Sequence, residues 1–429
     1  MAIGNQIRSA MTADVGARIR SLRTARALTQ AQLAEPNYTK AYISMLESGR
    51  TRASMKALEH IAGRLGVQPA DLLGGAAGAA APQFELYQAR GLVESGHAAE
   101  AIPILEALEE GLTPGDQLVR LRYLAAAHNA AGQAKRAFPV LERAQRMAEV
   151  LGDAVEDAKL KAVLASSYAQ MYSYDEAVRL LREVVQACDD GVVTDPMFHF
   201  RRLTDLAVQL THSHLPKQAM PIYERAIALA EQFSDRRSLA FMYAGLAKAH
   251  QQQGDVELAV RFSQRSLQVY EELNALDKVA CALDSIAVLY AEYGNRERAR
   301  ECLARGARIA EETKRDGTLA SIRSTEAEIV AKTDADEGMQ LAQEALKFAR
   351  KVDQVDALIR SLVLIGELRA KASSSAARRS FEEARRIAEE RSPQLLRMVF
   401  DRWSRSAEAA GDGDEALRLA RRALDSVTA

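Results

Sequence analysis

The side chains able to do covalent or metal chemistry are scattered along this sequence, not grouped. His212 and His214 lie two residues apart, which on a helix points them to roughly opposite faces, a poor arrangement for a shared metal. Cys188, Cys281 and Cys302 are odd in number and widely spaced, so they make no disulfide framework. Cys281 and Cys302 read as buried free thiols. There is no HExxH, CxxC or GxSxG, and the Gly-rich GGAAG at 74–78 follows no strand. No catalytic constellation emerges, so no enzyme, metal or cofactor is expected. What remains is recognition. Residues 1–75 carry 10 Lys and Arg against 5 Asp and Glu, whereas the other 354 residues carry 47 against 53. A basic head on an acidic body suggests that the head meets a polyanion.

The elements that must position such a surface follow from composition. Of 429 residues, 48% are hydrophobic, 27% charged and 5% aromatic. That profile, rich in Ala and Leu, predicts a soluble all-α protein, because β-branched and aromatic residues dominate strands. The longest uncharged run, Leu72 to Phe84, has 13 residues and is too short to span a bilayer. The N-terminus has no apolar signal region, and the expected compartment is the cytoplasm, with no membrane partner. Residues 74–82, GGAAGAAAP, bury nothing and read as a linker. The expected domains are a flexible arm at 1–13, a compact basic head at 14–73, the linker at 74–82 and a repeat body at 83–429.

Five short helices can be read in the head. Val15, Ile19 and Leu22 give the first its apolar stripe. Thr29 and Gln32 have capping-box spacing, so a second helix starts there and must stop near Pro36. Thr39 caps a third helix from Lys40 to Glu47. Ser54 caps a fourth that runs to Leu65 and Gly66, and Pro69 opens a fifth. Two short helices joined by a tight turn have helix-turn-helix spacing.

These residues carry a family resemblance. Ile19-Arg20 with Arg23, Leu28-Thr29-Gln30, Leu33-Ala34, Ile43-Ser44 with Glu47 and Gly49, and Ile61-Ala62 before Leu65-Gly66-Val67 resemble the XRE-family helix-turn-helix domain along the whole head. Two features depart from its pattern: the turn holding Pro36 is one residue short, and Ala53 stands where proline often precedes Ser54. The resemblance implies that the Lys40 helix enters a major groove of double-stranded DNA. Lys40 would then donate to guanine, Ala41 and Tyr42 would meet a thymine methyl, and Ser44 would act as a shorter donor. Gln30 would orient on phosphate near Lys40, and Thr29 and Thr39, at the helix caps beside it, would also contact DNA. Arg50 and Arg52 would contact phosphates. Arg23 and Glu47 would form a structural ion pair, not a base contact.

The body repeats. Ala101, Ala137, Ala177, Ala219, Ala259, Ala299, Gly338, Ala377 and Ala416 recur at spacings of 36 to 42 residues. In the first six units another Ala stands twelve residues earlier, from Ala89 to Ala287. Gly96, Gly132, Gly254, Gly294 and Gly411 mark a turn five residues before the anchor. Pro103, Pro139 and Pro221 share an offset expected near a helix start. Small residues at fixed positions let antiparallel helices approach closely. The pattern resembles tetratricopeptide (TPR) helix pairs in a long form, about nine of them, and the resemblance implies a right-handed superhelix with degenerate terminal units.

In a TPR the first helix of each pair lines the concave face. On that alignment Arg122, Asn129, Lys159, Gln170, Arg201, Thr204, Lys248, Gln251 and Asp284 face the groove. Cations flanked by amides suit an extended peptide with an acidic group or free C-terminus. An XRE head followed by a TPR body resembles the RRNPP peptide-sensing regulators. That resemblance implies a homodimeric transcription factor whose groove binds a short peptide or other small ligand and so alters DNA binding. Two alternatives stand beside it: a regulator whose TPR body docks a partner protein, and a TPR scaffold with a non-reading head.

Overall fold

The computed structural model describes residues 15–48, 51, 53, 55–67, 69, 72, 81–370, 374–392 and 395–428. No strand occurs among the described residues. The expected arm at 1–13, the linker up to residue 80 and the fifth head helix apart from residues 69 and 72 lie outside them. The chain divides into two units, Met1–Gln209 and Leu210–Ala429.

The first unit opens with the head. A helix over 15–25 is followed by Gln30–Ala34, Lys40–Glu47 and Met55–Leu65. Thr29 and Gln32 make a reciprocal capping box on the second helix, and the Thr39 hydroxyl accepts from the Tyr42 N–H at the third. Ile19, Leu33, Ile43, Leu46, Leu58, Ile61 and Leu65 bury together as one small core. Gly16 is required by packing: a Cβ there would sit 2.2 Å from the Leu46 carbonyl oxygen. Tyr87, from the first repeat helix, packs against the same core.

Ala81–Glu94 is that helix, so Ala81 and Pro82, read as linker ends, are its first two residues. Proline is tolerated there because first-turn N–H groups have no intrahelical partner. Among the described residues, eighteen helices follow one another from Ala81–Glu94 to Gly413–Thr428. Each helix packs on the next from Ala81–Glu94 to Tyr174–Asp189 in the first unit and from Pro216–Gln232 to Gly413–Thr428 in the second. The repeated small residues explain the spacing: Ala101, Ala137, Ala177, Ala219, Ala259 and Ala299 are all fully buried at the contact.

The interhelix turns need a left-handed residue. Gly96, Gly132, Gly254, Gly294 and Gly411 supply it. In two units without glycine, Tyr172 and His214 adopt the same positive φ at the same offset. His214 is therefore a turn residue beyond the Pro196–His212 helix, and the two histidines do not share a helix. The three prolines also differ from expectation. Pro103, Pro139 and Pro221 are each the sixth residue of a helix, one turn deeper than a start, where each removes an intrahelical donor. Cys281 is exposed, not buried, because it points away from the stripe formed by Val279, Ala280 and Leu283. No helix among the described residues is long and apolar enough to cross a membrane.

Candidate nucleic-acid interface and ligand face

The Lys40–Glu47 helix has two unlike faces. Ile43 and Leu46 are buried in the head core, while Lys40, Ala41, Ser44 and Met45 are exposed. Tyr42 lies between the two faces. Its ring stacks on Tyr38 with centroids 5.0 Å apart, and Tyr38 in turn meets His60 at 5.3 Å. That stack holds the aromatic edge of the helix in place.

The far end of the helix is clamped by charge. Arg23 donates through Nε to Glu47 Oε1 at 2.6 Å and through Nη2 to Oε2 at 3.0 Å, and its Nη1 reaches the Leu28 carbonyl at 2.8 Å. Gln30 donates to Glu47 Oε2 at 2.8 Å. Gln30 is thus turned to Glu47 in the free protein, not to Lys40. Burial alone would raise the Glu47 carboxyl, but the hydrogen bonds from Arg23 and Gln30 and the charge of Arg23 hold it below its ordinary range. The same hydrogen bond raises Arg23. One carboxylate therefore ties the first and second helices to the third. Thr29 and Thr39 spend their hydroxyls on caps. Arg50 and Arg52 lie outside the described residues.

On the first helices of the repeats, polar side chains pair from one unit to the next. In the first unit of the chain, Arg122 donates to Glu156 at 2.7 Å and Lys159 to the same carboxylate at 2.6 Å. Burial would raise Glu156, yet Arg122 and Lys159 hold it at about 2. Arg122 also lies over the Tyr123 ring, 4.5 Å from its centroid. Asn129 is buried; it donates to the Val163 carbonyl at 3.0 Å and accepts from the Ser167 hydroxyl at 2.9 Å. Thr204 is half-buried and donates to the Phe200 carbonyl at 3.0 Å. Gln170 and Arg201 are exposed.

In the second unit, Lys248 donates to Gln251 at 2.9 Å, and Gln251 donates to Glu292 at 2.9 and 3.1 Å. Asp284 is different. Its Oδ1 is buried with no hydrogen-bond partner, and burial pushes its carboxyl up. Further along, Arg360 pairs with Glu328 at 2.5 Å, and Arg402 spans Glu328 at 2.8 Å and Glu367 at 2.7 Å. Sequence reading missed Glu156, Glu328, Arg360, Glu367 and Arg402. The signal was present as opposite charges one repeat apart on consecutive first helices, 34, 32 and 35 residues for three of the pairs.

No group of three His, Cys, Asp or Glu that could hold a metal occurs among the described residues.

Comparison with known proteins agrees with this division. Residues 14–73 match a helix-turn-helix domain family, and residues 159–188, 201–272 and 238–312 match tetratricopeptide repeat families. The head is 43% identical over 61 residues to the immunity repressor protein of Bacillus phage phi105. That match spans 14% of this chain and 42% of the repressor. The fold resembles the apo form of the quorum sensor NprR from B. thuringiensis, with a TM-score of 0.64 at 14% identity, over 87% of this chain and 98% of NprR. It also resembles NprR in complex with its cognate peptide NprX, with a TM-score of 0.50 at 14% identity, over 86% and 98%.

Proposed function

From a helix-turn-helix head joined to a TPR body, we propose a sequence-specific DNA-binding transcriptional regulator, homodimeric and cytoplasmic, whose body binds a short peptide that alters DNA binding. The observation that carries the reading is the split character of the Lys40–Glu47 helix. One face is locked into the core, and Lys40, Ala41 and Ser44 stand free on the other. Lys40 donates to guanine, and Ala41 with the edge of Tyr42 meets a thymine methyl. Arg50 and Arg52 seat the head on phosphates. Gln30 can leave Glu47 for a phosphate, since Arg23 keeps that carboxylate compensated.

Support for a peptide comes from NprR, whose fold is similar and which has a structure with a cognate peptide. In the first unit Gln170 and Arg201 are available to a ligand, whereas Arg122, Asn129 and Lys159 already serve the repeat stack. In the second unit Asp284 Oδ1, buried without a hydrogen-bond partner, offers an acceptor to a peptide amide.

Selection of binding sites from random duplexes tests the head. A repeated or palindromic motif is expected, and no enrichment at low salt overturns the reading. Lys40→Ala should relax one base position at a cost of about 1–3 kcal/mol, while Arg50→Ala weakens all sequences alike. For the body, Arg201→Ala should remove the response to ligand and leave DNA affinity intact; a normal response removes Arg201 from the site.

A further inference from the structure

In the second unit, the Ala335–Lys351 and Ser374–Arg391 helices are the second members of consecutive pairs, and the Val355–Ala370 helix runs beneath them. Between them lies a cleft of about 600 Å³, within the roughly 300–1,000 Å³ of small-molecule sites. It belongs to the second-helix side of the stack and uses none of the groups on the inner face described above. From Gln343 to Lys351 the helix rise makes its long edge about 12 Å.

The walls of the cleft differ in kind. Leu346, Leu362 and Ile365 give it an apolar floor. Lys347, Arg350, Lys351 and Arg369 ring that floor, with one carboxylate, Glu383. Arg350 takes Glu383 for itself at 2.6 Å. The other three cations have no carboxylate in ion-pair range among the described residues. Arg369 is half-buried, and its one described side-chain partner is the neutral hydroxyl of the buried Ser380, at a long 3.4 Å. Elsewhere on this body cations are commonly paired: Arg179, Arg305, Arg385 and Arg391 each meet an acid. Two exposed lysines and a half-buried arginine without a carboxylate leave a local excess of positive charge beside an apolar floor, which attracts an anion.

We infer that this cleft is a binding site for a small amphipathic anion: a phosphate monoester on an apolar or aromatic body about the size of a mononucleotide. A phosphate dianion has three terminal oxygens to share among Lys347, Lys351 and Arg369, where a carboxylate could satisfy one fork. The floor then covers the rest of the molecule. Adenosine 5′-monophosphate is the probe, titrated calorimetrically into the full chain, with adenosine and inorganic phosphate in parallel. Saturable binding with Kd below about 1 mM is expected, at least about tenfold tighter than either half of the probe. Lys347→Gln/Lys351→Gln, at two exposed positions, should weaken binding at least about tenfold with an unchanged melting curve. If that pair melts early, Lys351→Gln alone carries the same expectation. Lys332→Gln, an exposed cation outside the cleft, should change nothing. Absence of saturation, equal binding by inorganic phosphate, unaltered binding in the cleft variants, or equal loss in Lys332→Gln would each overturn the site.

Discussion

Arg23 grips Glu47 with two parallel hydrogen bonds, 2.6 and 3.0 Å long, across 24 residues of sequence. The pair joins the helix that opens the head to the last turn of the exposed Lys40–Glu47 helix. Its position explains how a helix with few buried residues of its own can be held at a fixed angle. Ile43 and Leu46 anchor one face, and the ion pair stops that face from rolling.

Removing one partner leaves the other charge uncompensated. Glu47→Ala should destabilise the head by about 3 kcal/mol, at the lower end for a buried pair because Arg23 retains some solvent contact. Glu47 is held below its ordinary range in the fold. Its contribution is therefore complete above the unfolded carboxyl pKa of about 4.3 and is lost as pH falls through the lower folded value. Urea titrations at pH 7 and pH 3 should show a smaller acid loss in the variant than in the parent chain.

Gly16→Ala should be worse than its size suggests. The added methyl meets the Leu46 carbonyl oxygen at 2.2 Å, and a backbone oxygen cannot swing aside like a side-chain tip. The first helix must move off the Lys40–Glu47 helix, costing about 1–3 kcal/mol or more. Gly63→Ala is the control, since a Cβ there meets nothing within 4 Å. Thermal melting of the two variants should separate them clearly.

Glu156→Gln should unsettle the second and third hairpins. Arg122 and Lys159 both lean on that carboxylate, and Arg122 is largely enclosed. Loss of the charge is expected to cost about 3–5 kcal/mol at pH 7. With the Glu156 carboxyl at about 2 when folded, the parent chain forfeits this stabilisation as pH drops from the unfolded value towards that figure. The variant should lack that part of the acid dependence. Denaturant midpoints measured between pH 5 and pH 2 read it directly.

Asn129→Ala tests stacking against ligand contact. Its amide bridges two consecutive first helices through Val163 and Ser167. Truncation removes the acceptor of the buried Ser167 hydroxyl and a donor to the half-buried Val163 carbonyl, and should cost about 1–3 kcal/mol with no ligand present. Asn129→Asp preserves the acceptor for Ser167 but not the donor to Val163, and should recover only part of the loss. Equal stability of all three chains would show that the amide is not a staple.

The helical repeats were legible because small residues at a fixed period are a local and redundant signal. Ala101 to Ala299 could hardly recur at such intervals without a contact that excludes larger side chains, and all are fully buried. The head was legible through its caps, Thr29 and Thr39, whose hydroxyls bond within three residues of themselves. Periodicity also separated the buried Ile43 and Leu46 from the exposed Lys40 and Ser44.

What the sequence settled is therefore what short range determines: helix, cap, turn and repeat. Which charges remained available was settled only in three dimensions. Arg122, Lys159, Arg201 and Lys248 looked like one cationic series, but Glu156 neutralises Arg122 from the next first helix and Lys159 from its own. The cleft cations Lys347, Lys351 and Arg369 gave no sign of themselves in one dimension, because they come from two helices and converge only when the hairpins stack. Coulomb energy depends on distance through space and on burial, and neither is a function of separation along the chain.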